Sequence, residues 1–178
     1  LVLASAWDMT RDGEMGARRF VDLVLSALPG ESDSTLLRTL VHQLTTAVAM
    51  YVDPARRADT RRQTLARLWD LARAADPGSD AQLQLVSAAS SFTTTGDDTA
   101  YLSGLLDGSE VIDGLAVDTE LRWALLTGLA GAGAADEAAI AAELKRDDTA
   151  TGRERAARAR ASMPTTMRFG QSLHARLT

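Results

Sequence analysis

The chain has 178 residues, 46% hydrophobic and 24% charged, a composition that supports a folded core and argues against disorder. Its formal net charge of −5 gives no footing for nucleic acid or an anionic membrane. With no cysteine it has no disulfide framework, thiolate zinc site or cysteine nucleophile, and no apolar run reaches the roughly 18 residues that read as a membrane span.

Aromatic residues make up only 4%, so the core must be built mostly from Leu, Val and Ala, which favours closely packed helices over a β-sandwich. All the basic residues but Lys145 are arginine. No signal-peptide pattern is visible, and a cytoplasmic location is the expectation. The run Leu1-Val2-Leu3 opens in the middle of a helical pattern, with neither methionine nor capping residue ahead of it. It is read as a fragment boundary, the polypeptide continuing upstream.

In chain order, the apolar stretch from Leu1 to about Thr10 stops at Arg11-Asp12-Gly13. From Glu14 to Leu28, the residues Ala17, Phe20, Val21, Val24 and Leu28 share one helical face, and Pro29-Gly30 ends the pattern. Ser32 or Asp33 is expected to cap a helix striped by Leu37, Leu40, Val41, Leu44, Val48 and Tyr51. Asp53-Pro54 starts the next, because proline at the first helical position loses no hydrogen bond. That helix carries Leu65, Leu68, Trp69 and Ala72 as far as Asp76-Pro77-Gly78.

Ser79 with Gln82 predicts a capping box for a helix reaching about Thr93. Asp97 is expected to cap a short helix ended by Gly108, and a loop follows from Ser109 to Val117. Asp118 caps a helix with Leu121, Leu125 and Leu129, in which Glu120 suits the first turn. Another helix runs from about Ala135 to Arg146. Thr151 and Glu154 predict a second capping box for the arginine-rich segment, and Pro164 separates a last helix. No stretch alternates in the strand manner between turn residues.

The fold class is therefore all-α. Short connections make neighbouring helices antiparallel. About ten helices are many for a simple bundle and suit an irregular stack of antiparallel helical hairpins, a curved HEAT- or armadillo-like array without a fixed sequence period. Residues 1–178 read as one helical domain.

Chemistry is mostly eliminated. A zinc hydrolase of the H-E-x-x-H kind needs a second histidine four residues on, beside a glutamate. His42 has Gln43 and Thr46 in those places, and His174 has Ala175 and Thr178. His42, beside the apolar stripe, reads as a hydrogen-bonded structural histidine. No G-x-S-x-G elbow, P-loop or dinucleotide-binding glycine pattern occurs. Asp97-Asp98 and Asp147-Asp148 read as capping acids, and no EF-hand loop is present. Arg153, Arg155, Arg158 and Arg160 do not line one face and read as a solvated helix surface. Trp7, Trp69 and Trp123 read as core residues whose indole N–H groups find partners.

Several segments together carry a family resemblance. Leu105-Leu106-Asp107-Gly108 is followed by Gly114-Leu115-Ala116-Val117-Asp118-Thr119-Glu120-Leu121-Arg122-Trp123, and then by Arg146-Asp147-Asp148-Thr149-Ala150-Thr151-Gly152. With Ala4-Ser5-Ala6-Trp7-Asp8-Met9-Thr10-Arg11-Asp12 near the start, the chain resembles the C-terminal helical domain of the aminopeptidase N family of zinc metallopeptidases, in its actinobacterial form. The resemblance covers about residues 1–161. The family usually ends with Pro-Thr, a lysine and a tryptophan; here Pro164-Thr165 is followed by Met167-Arg168-Phe169-Gly170.

What the resemblance implies is a non-catalytic cap. Proteins of this family hold zinc through H-E-x-x-H and a later glutamate on a separate catalytic domain, where a G-x-M-E-N segment binds the substrate's amino end. Neither motif is in this chain, so no catalytic or metal-binding residue carries over and no cofactor is expected here; zinc belongs to the parent enzyme. The implied partners are the remaining domains of the same polypeptide and the parent's peptide substrate. Glu120 and Arg122 are the candidates for a cavity-facing or interdomain surface, set against a helix-start acid and an ordinary ion pair. Two other classes remain: a free-standing helical-repeat scaffold that binds a protein in its groove, and the ligand-binding part of a helical transcription regulator, which would need a basic recognition helix that is not found.

Overall fold

The computed structural model describes residues 2–31, 33–94 and 96–164. His174 and the helix expected beyond Pro164 lie outside the described residues. Among those described there is no strand. Nine α-helices follow one another: α1 (Val2–Arg11), α2 (Ala17–Ala27), α3 (Ser34–Thr46), α4 (Pro54–Ala74), α5 (Asp80–Phe92), α6 (Asp97–Asp107), α7 (Thr119–Gly131), α8 (Glu137–Arg146) and α9 (Ala150–Ser162). A 3-10 turn, Leu28–Gly30, extends α2, and a π-helical turn, Ala47–Tyr51, extends α3.

Most helix starts follow the capping chemistry read from the sequence. Asp33 accepts from the Thr35 and Leu36 N–H groups at 2.8 and 3.1 Å, Asp53 from Ala55 at 2.9 Å, and Asp118 from Leu121 at 2.8 Å. Two starts differ. The residue capping α6 is Gly96, at φ +69°, a backbone that glycine takes freely, and Asp97 is already the first helical residue. The cap of α9 is Thr149, not Thr151, because the extended backbone needed for a cap falls at Thr149.

The helices pack as two compact units. The first holds α1 to α5 together with Ile112–Leu115. Its core includes the fully buried Phe20, Val24, Leu44, Leu68, Ala72, Val86 and Ala89. Helix α4 lies along α5, and Arg61 of α4 donates to the Phe92 and Ser91 carbonyls at the end of α5, both at 2.9 Å. Those carbonyls have no intrahelical partner, so a guanidinium suits them in both hydrogen bonding and charge. Burial lowers the Arg61 pKa. Trp7 packs against Phe20 and Tyr51, with ring centroids 5.2 and 5.9 Å away.

Gln82, 1% exposed, anchors the loop segment of this unit. Its N–H donates to the Ser79 hydroxyl at 3.1 Å, as the capping box requires. Its side chain reaches past the box. Oε1 accepts from the Gly78 N–H at 2.9 Å, and Nε2 donates to the Asp113 carbonyl at 3.0 Å. The loop approaches so closely that a Cβ at Gly114, φ +71°, would stand 2.5 Å from the Pro77 Cβ and 2.6 Å from the Gly78 nitrogen. Only glycine fits there.

Replacing Gln82 with leucine keeps the volume but leaves the Gly78 N–H and the Asp113 carbonyl without these partners. Urea unfolding should show a loss of about 1–3 kcal/mol, at about 0.5–1.5 kcal/mol for each of the two part-buried hydrogen bonds removed. An unchanged midpoint would show that water replaces both bonds without cost.

Candidate functional site

The second unit holds α6 to α9, and α7 packs against each of the other three. Leu121, Leu125, Leu126, Leu129 and Ala130 of α7 are buried, as are Ile140 of α8 and Ala156 and Ala159 of α9. Against this apolar packing, neighbouring positions on α7 send polar groups in different directions.

Arg122 makes a two-pronged contact with Glu143 of α8. Nε donates to Oε1 and Nη2 to Oε2, both at 2.7 Å. Its Nη1 donates to the Leu106 carbonyl in the last turn of α6 at 2.9 Å. The planar guanidinium fork matches a carboxylate in this way and a lysine could not. Glu143 is buried, and its hydrogen bonds raise the Arg122 pKa against the opposing effect of burial.

Trp123, also buried, donates its indole N–H to Asp147 Oδ2 at 2.9 Å. Asp147 lies between α8 and α9, and its Oδ1 accepts from the Thr149 hydroxyl at 2.8 Å. Thr149 Oγ1 in turn accepts from the Gly152 N–H at 2.9 Å, capping α9. Arg155 stands 3.9 Å from Asp147 Oδ2 and 3.9 Å from Glu120 Oε2. The hydrogen bond from Thr149, then that from Trp123, then the charge of Arg155 hold the Asp147 carboxyl below the usual aspartate range. The α9 backbone comes so close that a Cβ at Gly152 would lie 2.0 Å from the Asp147 carbonyl oxygen.

The two sequence candidates thus sit differently. Arg122 is turned into contacts with α8 and α6, whereas the Glu120 side chain is 77% exposed, with Arg155 as its charged neighbour. His42 corrects an expectation: it is exposed on α3, and its ring has no hydrogen bond among the described residues. Asp147 corrects another: it does not cap α9 itself, but its carboxylate accepts from the Trp123 indole and from the hydroxyl of Thr149, which is the cap. The arginine-rich helix is a paired surface: Arg153 meets Asp148 at 2.6 Å, and Arg160 meets both oxygens of Glu137 at 2.9 Å. Sequence reasoning missed Glu143, whose surroundings, Ala141-Ala142-Glu143-Leu144, read as an ordinary helix surface. Among the described residues, no three His, Cys, Asp or Glu side chains are grouped to hold a metal ion, and no helix is long and apolar enough to cross a membrane.

The geometry defines an all-helical domain in which a few polar side chains, Arg61, Gln82, Arg122, Trp123 and Arg160, tie separate elements together. The chain belongs to the aminopeptidase N family as a C-terminal domain, matching the family described as the ERAP1-like C-terminal domain over residues 1–174. It is 47% identical over 166 residues to the aminopeptidase N of Streptomyces lividans, an alignment that covers 93% of this chain. The chain spans only 19% of that relative's length. Two of the segments that carry the resemblance, one ending in Arg122-Trp123 and the other containing Asp147, Thr149 and Gly152, are joined by the indole–carboxylate hydrogen bond.

A carboxyl whose folded-state pKa is depressed contributes stability above its unfolded pKa, and that stability is lost as pH falls through the folded value. The urea midpoint of the chain should therefore exceed that of Asp147→Asn near neutral pH. The two should converge as pH drops through and below the ordinary aspartate range. A gap of constant size across that range would mean that the Asp147 charge contributes nothing.

Proposed function

We propose that this chain is the non-catalytic C-terminal cap of a zinc-dependent aminopeptidase, a single helical domain closing the cavity in which the parent enzyme removes N-terminal amino acids from peptides. The observation that carries this reading is the extent of the match: 93% of the chain aligns, yet it fills only 19% of an aminopeptidase N. Zinc and the reacting groups then belong to the upstream part of the polypeptide, which is the cap's partner along with the peptide substrate. A cytoplasmic location accompanies the reading.

A helical cap acts by physical means. It keeps bulk water from the reaction site and limits how long a peptide can enter. Contacts to the remote end of the substrate supply binding energy away from the scissile bond. The exposed Glu120 carboxylate, with Arg155 beside it, is the charge that α7 presents to the cavity or to a neighbouring domain. Arg122 serves that surface from behind, by fixing α7 against α6 and α8.

The test compares the 178-residue chain with the full-length polypeptide that contains it. The chain alone, with or without added zinc, should not hydrolyse aminoacyl arylamides, whereas the full-length protein should do so in a chelator-sensitive way. In the full-length protein Glu120→Ala should change KM for long peptides and leave small arylamides nearly unaffected. Turnover by the short chain that survives repurification and is abolished by mutating one of its own residues would overturn the reading.

A further inference from the structure

Helix α1 is covered on one side only. Ala6 and Thr10 are buried, and Trp7 packs on Phe20 and Tyr51. The other side opens, together with α2, onto a groove of about 640 Å³. Its lining is mainly apolar by surface, with Val2 and Met9 from α1, Met15 from the connecting turn and Leu23 from α2, and it is edged by Ser5 of α1 and by Arg19, Asp22 and Ser26 of α2. Val2 is 73% exposed and Met9 38%. Singly exposed apolar residues need no explanation, but several lining one trough mark a surface meant to be covered.

We propose that this groove seats a helix from the part of the full-length polypeptide that precedes Leu1. The proposal rests on the reading of the chain as the C-terminal part of a longer protein. The occupant follows from three observations. The matched family is a C-terminal domain and the chain spans 19% of its relative, so the remaining polypeptide lies largely on the N-terminal side. Helix α1 is the element nearest to that side in sequence, so a short connection brings the preceding segment to it. A trough between two helices receives the side-chain ridge of a third, and methionines adapt their shape to such a ridge. The incoming face should be apolar, with a charge able to pair with Arg19 or Asp22 at its edge.

Methionine oxidation reports the seat directly. Hydrogen peroxide footprinting of the full-length protein and of the 178-residue chain would be followed at Met9 and Met15 by mass spectrometry. Both should oxidise at least about tenfold more slowly in the full-length protein, since they react only when the segment opens. Met9→Glu in the full-length protein should release the segment and return Met15 to the rate of the short chain. Equal oxidation in the two proteins would overturn the proposal. Protection that varies with protein concentration would assign the groove to a second copy, and would overturn it too. Peptidase activity of the same preparation separates the two readings: activity without protection sinks only the seat, and protection without activity sinks only the enzymatic reading.

Discussion

Arg122 and Trp123 are adjacent on α7 and answer to different neighbours, and the second unit depends on that division. Helix α7 buries four leucines, an alanine, a glycine and Trp123, and apolar packing of this kind secures stability more readily than it specifies one unique arrangement. Directional contacts remove that freedom. The guanidinium sets α7 against α8 and the end of α6, while the indole sets it against the connection that begins α9. A part-buried ion pair of this kind adds little net stability over an apolar replacement. Removing one partner, however, strands a charge at a cost of about 3–5 kcal/mol. Its weight is in fixing which arrangement forms.

The all-helical fold was legible because the signals are local. Asp33, Asp53-Pro54 and Asp118 start helices through bonds that span two or three residues. The misplaced starts, Gly96 and Thr149, show the limit of such signals. Any of several small polar residues would serve as a cap, and the one that does is chosen by where the backbone becomes extended, which packing decides. Thr149 is held in place by Asp147, and Asp147 by an indole 24 residues earlier.

The same distance in sequence hid the contacts made by Gln82 and Glu143. Gln82 reads as half of a capping box, and its bond to Ser79 is present, but its reach to Asp113 crosses 31 residues. Glu143 lies among alanines on a short amphipathic helix, and nothing nearby marks it as the partner of Arg122. Of the two candidates, Arg122 has a visible cue in its place beside a tryptophan within one of the segments that carry the resemblance. That cue pointed to importance without saying whether the side chain faced inward or outward.

The near absence of lysine has a consequence for how the fold meets alkali. The cations that close helix ends and interhelical pairs here, Arg61, Arg122 and Arg160, are all guanidinium groups, and hydrogen-bonded carboxylates raise the pKa of the latter two further. A guanidinium stays protonated far beyond the range in which an ammonium is lost. These contacts therefore persist in base, those of Arg61 to backbone carbonyls as well as those of Arg122 and Arg160 to carboxylates. Lysine in place of these arginines would give the contacts an alkaline limit that they now lack.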